Sequence, residues 1–175
     1  MAERGYERAS VAAIASAAGL TPGLVHYHFR NKEAVLLALL DHLEQLLAER
    51  VAAASVEVVD PRDLLDAYID GLLAKGPGAN PRAVACWVAV GTEALTRPAI
   101  GEAYRRLVRR QIGHLRDRVQ VVLEDEGNET ESASAIAAGI FAAVEGAFRL
   151  ATLAPGSIPE GSAADTVKRM AAGLL

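Results

Sequence analysis

The stretch SVAAIASAAGLTPGLVHYHFRNKEAVLLALL, Ser10 to Leu40, decides the fold. Ser10 is placed to cap a short helix from Val11 to Ala18, whose apolar face carries Val11, Ile14, Ala15 and Ala18. Gly19 stands where the left-handed residue that ends a helix belongs. Thr21 followed by Pro22 is a cap plus a proline at the first helical position, so a second helix starts two residues later and runs to about Phe29. Two short helices joined by a glycine turn are the geometry of a helix-turn-helix. Ala15 must be small because the second helix crosses close to it. Val25, ten residues on, plugs the angle, and Ile14, Ala18, Leu20 and Phe29 are expected to close a small core around that plug. The second helix opens with free N–H groups and a positive dipole end, both suited to phosphate, and Pro22 and Gly23 keep its first turn slim.

The sequence outside this stretch is also helical. Asn31 caps a longer helix to roughly Ala54, with Ala34, Leu37, Ala38, Leu40, Leu43 and Leu47 expected on its buried side. After Asp60-Pro61, helices are expected at about 62–75, 81–96, 98–126, 131–153 and 163–174. They are separated by Gly76-Pro77-Gly78, Thr96-Arg97-Pro98, Gly127-Asn128 and Ala154-Pro155-Gly156. Alternating strand patterns are absent. Alanine fills 35 of the 175 positions while aromatics are 5%, a bias toward helix over sheet. With 51% hydrophobic and 23% charged residues, the chain is neither disordered nor collagen-like. The longest apolar run, Ala135 to Val144, is ten residues, half of a bilayer span, so no membrane partner is expected. A single cysteine, Cys86, excludes an internal disulfide and fits a reducing, cytoplasmic compartment; beside Trp87 it reads as a small buried hydrophobe.

The net charge of −4 hides an asymmetry: residues 1–32 carry +2 and the remainder −6. His26 and His28 add positive charge to the head as pH falls through the imidazole range near ~6.5. A mildly basic head on an acidic body suits local contact with a polyanion.

Ser10 to Leu40 closely resembles the DNA-binding signature of TetR-type bacterial repressors, on its capping serine, its AxxxG turn, its aromatic-rich recognition-helix end and Asn31-Lys32-Glu33. Cys86-Trp87, Thr96-Arg97-Pro98 and the helix bearing Arg105, Arg106, Arg109 and Arg110 are similar, more loosely, to the choline-responsive regulators of betaine synthesis within that family. The resemblance implies an all-α homodimer, with a helix-turn-helix reader over residues 1–45 and a helical effector-binding and dimerisation region over 46–175. It also implies a full first helix before Gly5-Tyr6, where this sequence has only Met1 to Arg4. The expectation is that Met1 is internal to that helix.

Carried over by position, Ser10 resembles the family's phosphate-contacting cap, and Thr21, Pro22, Gly23 and Leu24 form the leading edge of the recognition helix. His26 stands where the family commonly has a phosphate-binding tyrosine, Tyr27 and His28 complete the face, and Lys32 matches a backbone-binding lysine. No Arg, Asn or Gln lies between Thr21 and Phe29, so the usual bidentate readers of guanine and adenine are missing. Pro22 and Leu24 are therefore expected on thymine methyls and His26, Tyr27, His28 and Lys32 on phosphates. Selectivity would come from DNA shape and from basic residues in an N-terminal arm. His26 and His28, two apart, point away from each other on a helix and do not make a metal pair.

For an effector pocket, Glu145 stands out. It lies in IFAAVEGAF between Phe141 and Phe148, where a carboxylate would meet a cationic ligand, a partner across the dimer, or Arg149 four residues on. Tyr68, Trp87 and Tyr104 are candidates for lining the same cavity or for ordinary core, with Glu93 and His114 behind them. The arginines of 105–110 read as a solvated face. The alanine-rich helix 131–153, with Gly139 and Gly146, lets another helix come close and, with 163–174, is expected to form a four-helix dimer interface. No nucleophile–base pair, phosphate-cradling glycine loop or metal spacing suggests an enzyme, and no cofactor is expected. The expected function is a ligand-responsive repressor that binds a palindromic operator. The alternative is a helical small-molecule-binding protein without DNA binding.

Overall fold

In a computed structural model the described residues are 10–73 and 80–175, and every regular element among them is a helix. Gly5-Tyr6, the start of the chain and Gly76-Pro77-Gly78 lie outside them. The chain forms two compact units, one from residues 1–45 with 81–106 and the other from residues 46–80 with 107–175.

The first unit holds α1 (Val11–Ala17) and α2 (Pro22–His28), which pack on each other. Ser10 Oγ accepts from the Ala13 N–H at 3.1 Å, and Thr21 Oγ1 from the Leu24 N–H at 3.3 Å. Between them the chain reverses through Gly19 at φ +67°. There the Leu20 N–H donates to the Ala15 carbonyl (2.9 Å) and the Gly19 N–H to that of Ser16 (3.2 Å). This bond pair closes a helix on a left-handed residue, a conformation that any Cβ would strain. Ala15 is fully buried and Val25 is 5% exposed, so the plug sits where its branched side chain can fill the angle. Ile14 and Phe29 are half-buried around it. Ala18 and Leu20, expected in that small core, are exposed, because two seven-residue helices enclose room for little beyond Val25.

α3 (Lys32–Ala54) starts under Asn31, whose Oδ1 accepts from the Ala34 N–H at 2.8 Å. Its buried residues are Leu36 and Leu40. Ala34, Leu37, Ala38, Leu43 and Leu47 are half-buried, and Leu36 was not among the residues expected inside. The helix is apolar on most of its circumference, so packing rather than pattern selects its inner face. α5 (Pro81–Glu93) opens on Pro81 and contributes Trp87, Val88 and Val90 to the core, while Cys86 is only half-buried. α6 (Pro98–Asp125) is 28 residues long and ends at Gly127, φ +75°, where the Asn128 N–H reaches the Leu123 carbonyl at 2.8 Å.

In the second unit, α4 (Pro61–Leu73), α7 (Ala133–Leu153) and α8 (Ser162–Ala172) pack together. Asp60 Oδ1 caps α4 by accepting from the N–H groups of Arg62 and Asp63. Gly71 lets α3 approach: a Cβ there would lie 2.6 Å from Val51 Cγ2, and its carbonyl accepts from Arg50. α7 is the most apolar helix, and its 21 residues are by length and composition enough to cross a bilayer. It buries Ala133, Ile136, Ala137, Ile140, Phe141 and Val144 within the unit, yet only 28% of its apolar window is covered. Leu150 (44%) and Leu153 (66%) on α7, with Met170 (53%) on α8, remain exposed.

α8 is tied to α4 by a half-buried ion pair, Lys168 Nζ to Asp70 Oδ2 at 3.0 Å, with Asp165 Oδ1 at 3.8 Å from the same nitrogen. Asp66, one turn before Asp70, is held above the usual carboxylate range by burial, against the pull of Lys168 and with the push of Asp70. The folded chain therefore binds this proton more tightly than the unfolded one. The resulting stability is fully present in acid and is lost as pH rises through the folded value.

Two outcomes follow for stability. Ala15→Leu forces extra volume into the α1–α2 angle and lowers stability by about 1–3 kcal/mol in urea denaturation, while Ser16→Ala on the exposed side changes it by less than about 0.5 kcal/mol. Asp66→Asn raises the Tm at pH 7, and the gain over the parent shrinks as pH falls through the carboxylate range. An equal gain at all pH values would refute the burial account.

Candidate nucleic-acid interface

The first unit leaves almost all of α2 exposed to solvent. Val25 turns inward, while Thr21, Pro22, Gly23, Leu24, His26, Tyr27 and His28 all face out. Leu24 is 43% and Tyr27 83% exposed. The rings of Tyr27 and His28 meet edge to face, 5.1 Å between centroids. A Cβ at Gly23 would meet nothing within 4 Å, so the first turn of α2 offers bare backbone to whatever approaches. Ser10 is exposed at the head of α1, and Lys32 is half-buried at the head of α3. Arg30, which sequence reasoning counted only as charge, is exposed in the turn between α2 and α3. With no carboxylate from Ser10 to Lys32, this face matches a polyanion.

The candidate effector residues fall into separate groups. In the first unit, Trp87 (α5) and Tyr104 (α6) stack at 4.8 Å with ring planes 32° apart. Glu93, at the end of α5, accepts from Arg97 Nε at 3.0 Å. In the second unit, the buried Tyr68 donates its hydroxyl to Gln111 Oε1 at 2.5 Å, and the His114 ring lies 6.3 Å away. The Arg118 guanidinium sits 4.3 Å from the Tyr68 ring centroid. Gln111 and Arg118 were missed. Their signal was present, since 111, 114 and 118 share one face of α6 at helical spacing. Gln111 is 5% exposed, a buried polar side chain whose place is explained by the tyrosine hydroxyl it accepts from. Phe141 is buried, Glu145 half-buried and Arg149 exposed along α7. A cleft of about 380 Å³ between α4 and α8, lined by Asp66, Ser162, Asp165, Lys168 and Arg169, contains none of the expected pocket residues. Arg105 and Arg106 both reach Glu102, at 3.2 and 3.5 Å, as a solvated face does.

Known proteins resemble this chain over most of its length. A family profile described as bacterial regulatory proteins of the tetR family matches residues 1–39, and one described as the BetI-type transcriptional repressor C-terminal region matches residues 61–175. The transcriptional regulator BetI of Brucella anthropi is 30% identical over 146 residues, 83% of this chain and 72% of that one. BetI relatives from Yersinia and Ectopseudomonas align over about half their own length. A Rhodococcus sp. Rha1 transcriptional regulator superposes with a TM-score of 0.82 at 26% identity, covering 99% of this chain and 89% of that one. A regulator from Saccharomonospora viridis, solved in complex with choline, superposes at 0.78 with 24% identity, covering 99% and 88%. These relatives are transcriptional regulators rather than enzymes. With its exposed recognition helix braced by Val25 and its C-terminal helices matched from end to end, the chain belongs to the TetR family of DNA-binding transcriptional regulators, with a BetI-type C-terminal region.

Proposed function

We propose that the chain is a homodimeric repressor that binds a palindromic operator and is released from it by a small-molecule effector. The observation that carries the DNA reading is the solvated face of α2, where every side chain except Val25 is available to a duplex. With Thr21 and Gly23 at the leading edge of the helix, Pro22 and Leu24 meet thymine methyls, Ser10, His26, His28 and Lys32 set position on phosphates, and Tyr27 stands on the ridge between the two histidines. Residues 1–45 act as the reader and 46–175 as the effector and dimerisation region, in a cytoplasmic protein.

The dimer reading rests on α7 and α8. An apolar helix with only 28% of its window fully buried has a side left for a second surface, and small residues Ala135, Ala138, Gly139 and Ala142 on that exposed side allow close helix approach. Leu150, Leu153 and Met170 extend that surface. A second copy covers it with two-fold symmetry, which also sets two recognition helices for half-sites about 34 Å apart. Repression ends when an effector binds one conformation better than the other, and linkage requires DNA to weaken effector binding by the same factor. Trp87, Tyr104 and Glu93 in the first unit, and Tyr68, His114, Phe141, Glu145 and Arg149 in the second, are the residues proposed to sense it. Aromatic faces and carboxylates suit a small organic cation, and choline, held by one of the structural relatives, is the first probe.

Leu24→Ala and Tyr27→Ala are expected to weaken binding to the chain's own promoter duplex at least about tenfold, roughly 1.4 kcal/mol. Their melting temperatures stay within a degree or two, since both side chains are exposed; unchanged affinity in both refutes the assignment. Leu150→Glu combined with Leu153→Glu shifts sedimentation from dimer to monomer while far-UV circular dichroism is retained. A dimer unaffected by the pair places the interface elsewhere. Choline is titrated against the promoter complex and the free protein, and equal affinity for both excludes it as a releasing effector.

A further inference from the structure

Two of the chain's four histidines, His26 and His28, lie on the seven residues of α2, and both are exposed. Residues two apart are about 200° apart around a helix of 3.6 residues per turn. The two imidazoles therefore stand on opposite flanks, with Tyr27 on the outward ridge between them and Val25 inward. A helix lying in the major groove turns its ridge to the base edges and its flanks to the phosphates on either side. The two histidines are thus placed for two different DNA strands.

The electrostatic surroundings leave the imidazoles free to act this way. α1, the helix packed on α2, is VAAIASA and has no titratable group. α2 and the following turn hold no carboxylate; the charged neighbours next along the chain are Arg30, Lys32 and the half-buried Glu33. Among the described residues of α1, α2 and their turns, no acid competes with a phosphate for either imidazole. Imidazole in water takes its proton near pH ~6.5, whereas a phosphodiester keeps its single negative charge throughout the neutral range.

We infer that duplex binding by this chain is proton-linked, with His26 and His28 taking up protons as they meet the phosphates that flank the groove. The inference rests on α2 being the helix that enters the groove. Because the bound state holds more protons than the free state, affinity rises as pH falls. The slope of log affinity against pH equals the number of protons taken up, about tenfold per pH unit for each. A neutral histidine donating a hydrogen bond to phosphate would give no such slope.

The test is the affinity of the full chain for a fluorescent mixed-sequence duplex of about 30 base pairs at fixed low salt, between pH 5.5 and 8. A mixed sequence suffices because phosphate contacts are sequence-independent. The parent is expected to bind more tightly at the acid end. His26→Gln and His28→Gln each lose part of the slope, and the double variant loses most of it. His42→Gln, exposed on α3, controls for the general rise in protein charge and keeps the parent slope. A flat profile for the parent, or an undiminished slope in the double variant, overturns the inference while salt-dependent binding leaves the DNA reading standing. No salt-dependent binding at any pH overturns both.

Discussion

The packing of α1 on α2, with Ala15 and Val25 both buried, is the constraint on which the rest depends. α1 and α2 are seven residues each, too short to hold together through surface area, and isolated helices of that length are not stable in water. They persist because one branched side chain fills the angle left by one methyl-sized residue, under a reversal that only a left-handed glycine makes without strain. Each part requires the others. A larger residue at 15 would push α2 away, and a smaller one at 25 would leave a void. In return, the whole outer circumference of α2 is spared from core packing and is free to be chosen for contact with DNA.

The second unit is organised on the opposite plan. Its helices are long and its apolar surface exceeds what the unit buries, so the excess appears as the uncovered side of α7 and the flanking residues of α8. A surplus of this kind is the expected mark of a protein whose core is completed by another surface, and the proposed two-fold pairing supplies one. Polar groups are used sparingly inside: Gln111 is placed by the Tyr68 hydroxyl, and Lys168 by the carboxylates of α4 and α8. Such buried or half-buried polar contacts add little net stability, but breaking one leaves its partner without compensation.

Much of this was legible in the sequence because helix boundaries are local. Ser10, Thr21 with Pro22, Asn31 and Gly127 act within three or four residues of themselves, and each does what its type predicts. The exposed residues of α2 were legible for the same reason: in a short helix with one inward residue, naming Val25 names the exposed face. The inner side of α3 was not legible. Leu36, Leu40, Leu43 and Leu47 share one face at i, i+4, i+7 and i+11, but Val35, Leu37, Leu39 and Leu46 spread apolar character round the rest of the helix and obscure it. Ala18 and Leu20 were misplaced for a related reason, since apolar character does not reveal how little space two short helices enclose.

By itself, then, the sequence determined the helices, their caps, the turn at Gly19 and the outward face of α2, all set by interactions within a few residues. Only the tertiary structure decided that Arg118 lies over Tyr68, that Gln111 takes its hydroxyl, that Lys168 reaches back to Asp70 and that most of α7 stays uncovered. Those partners are separated by 43 to 98 residues. Backbone propensity acts over one or two turns, whereas which distant side chains meet is settled by how whole helices pack.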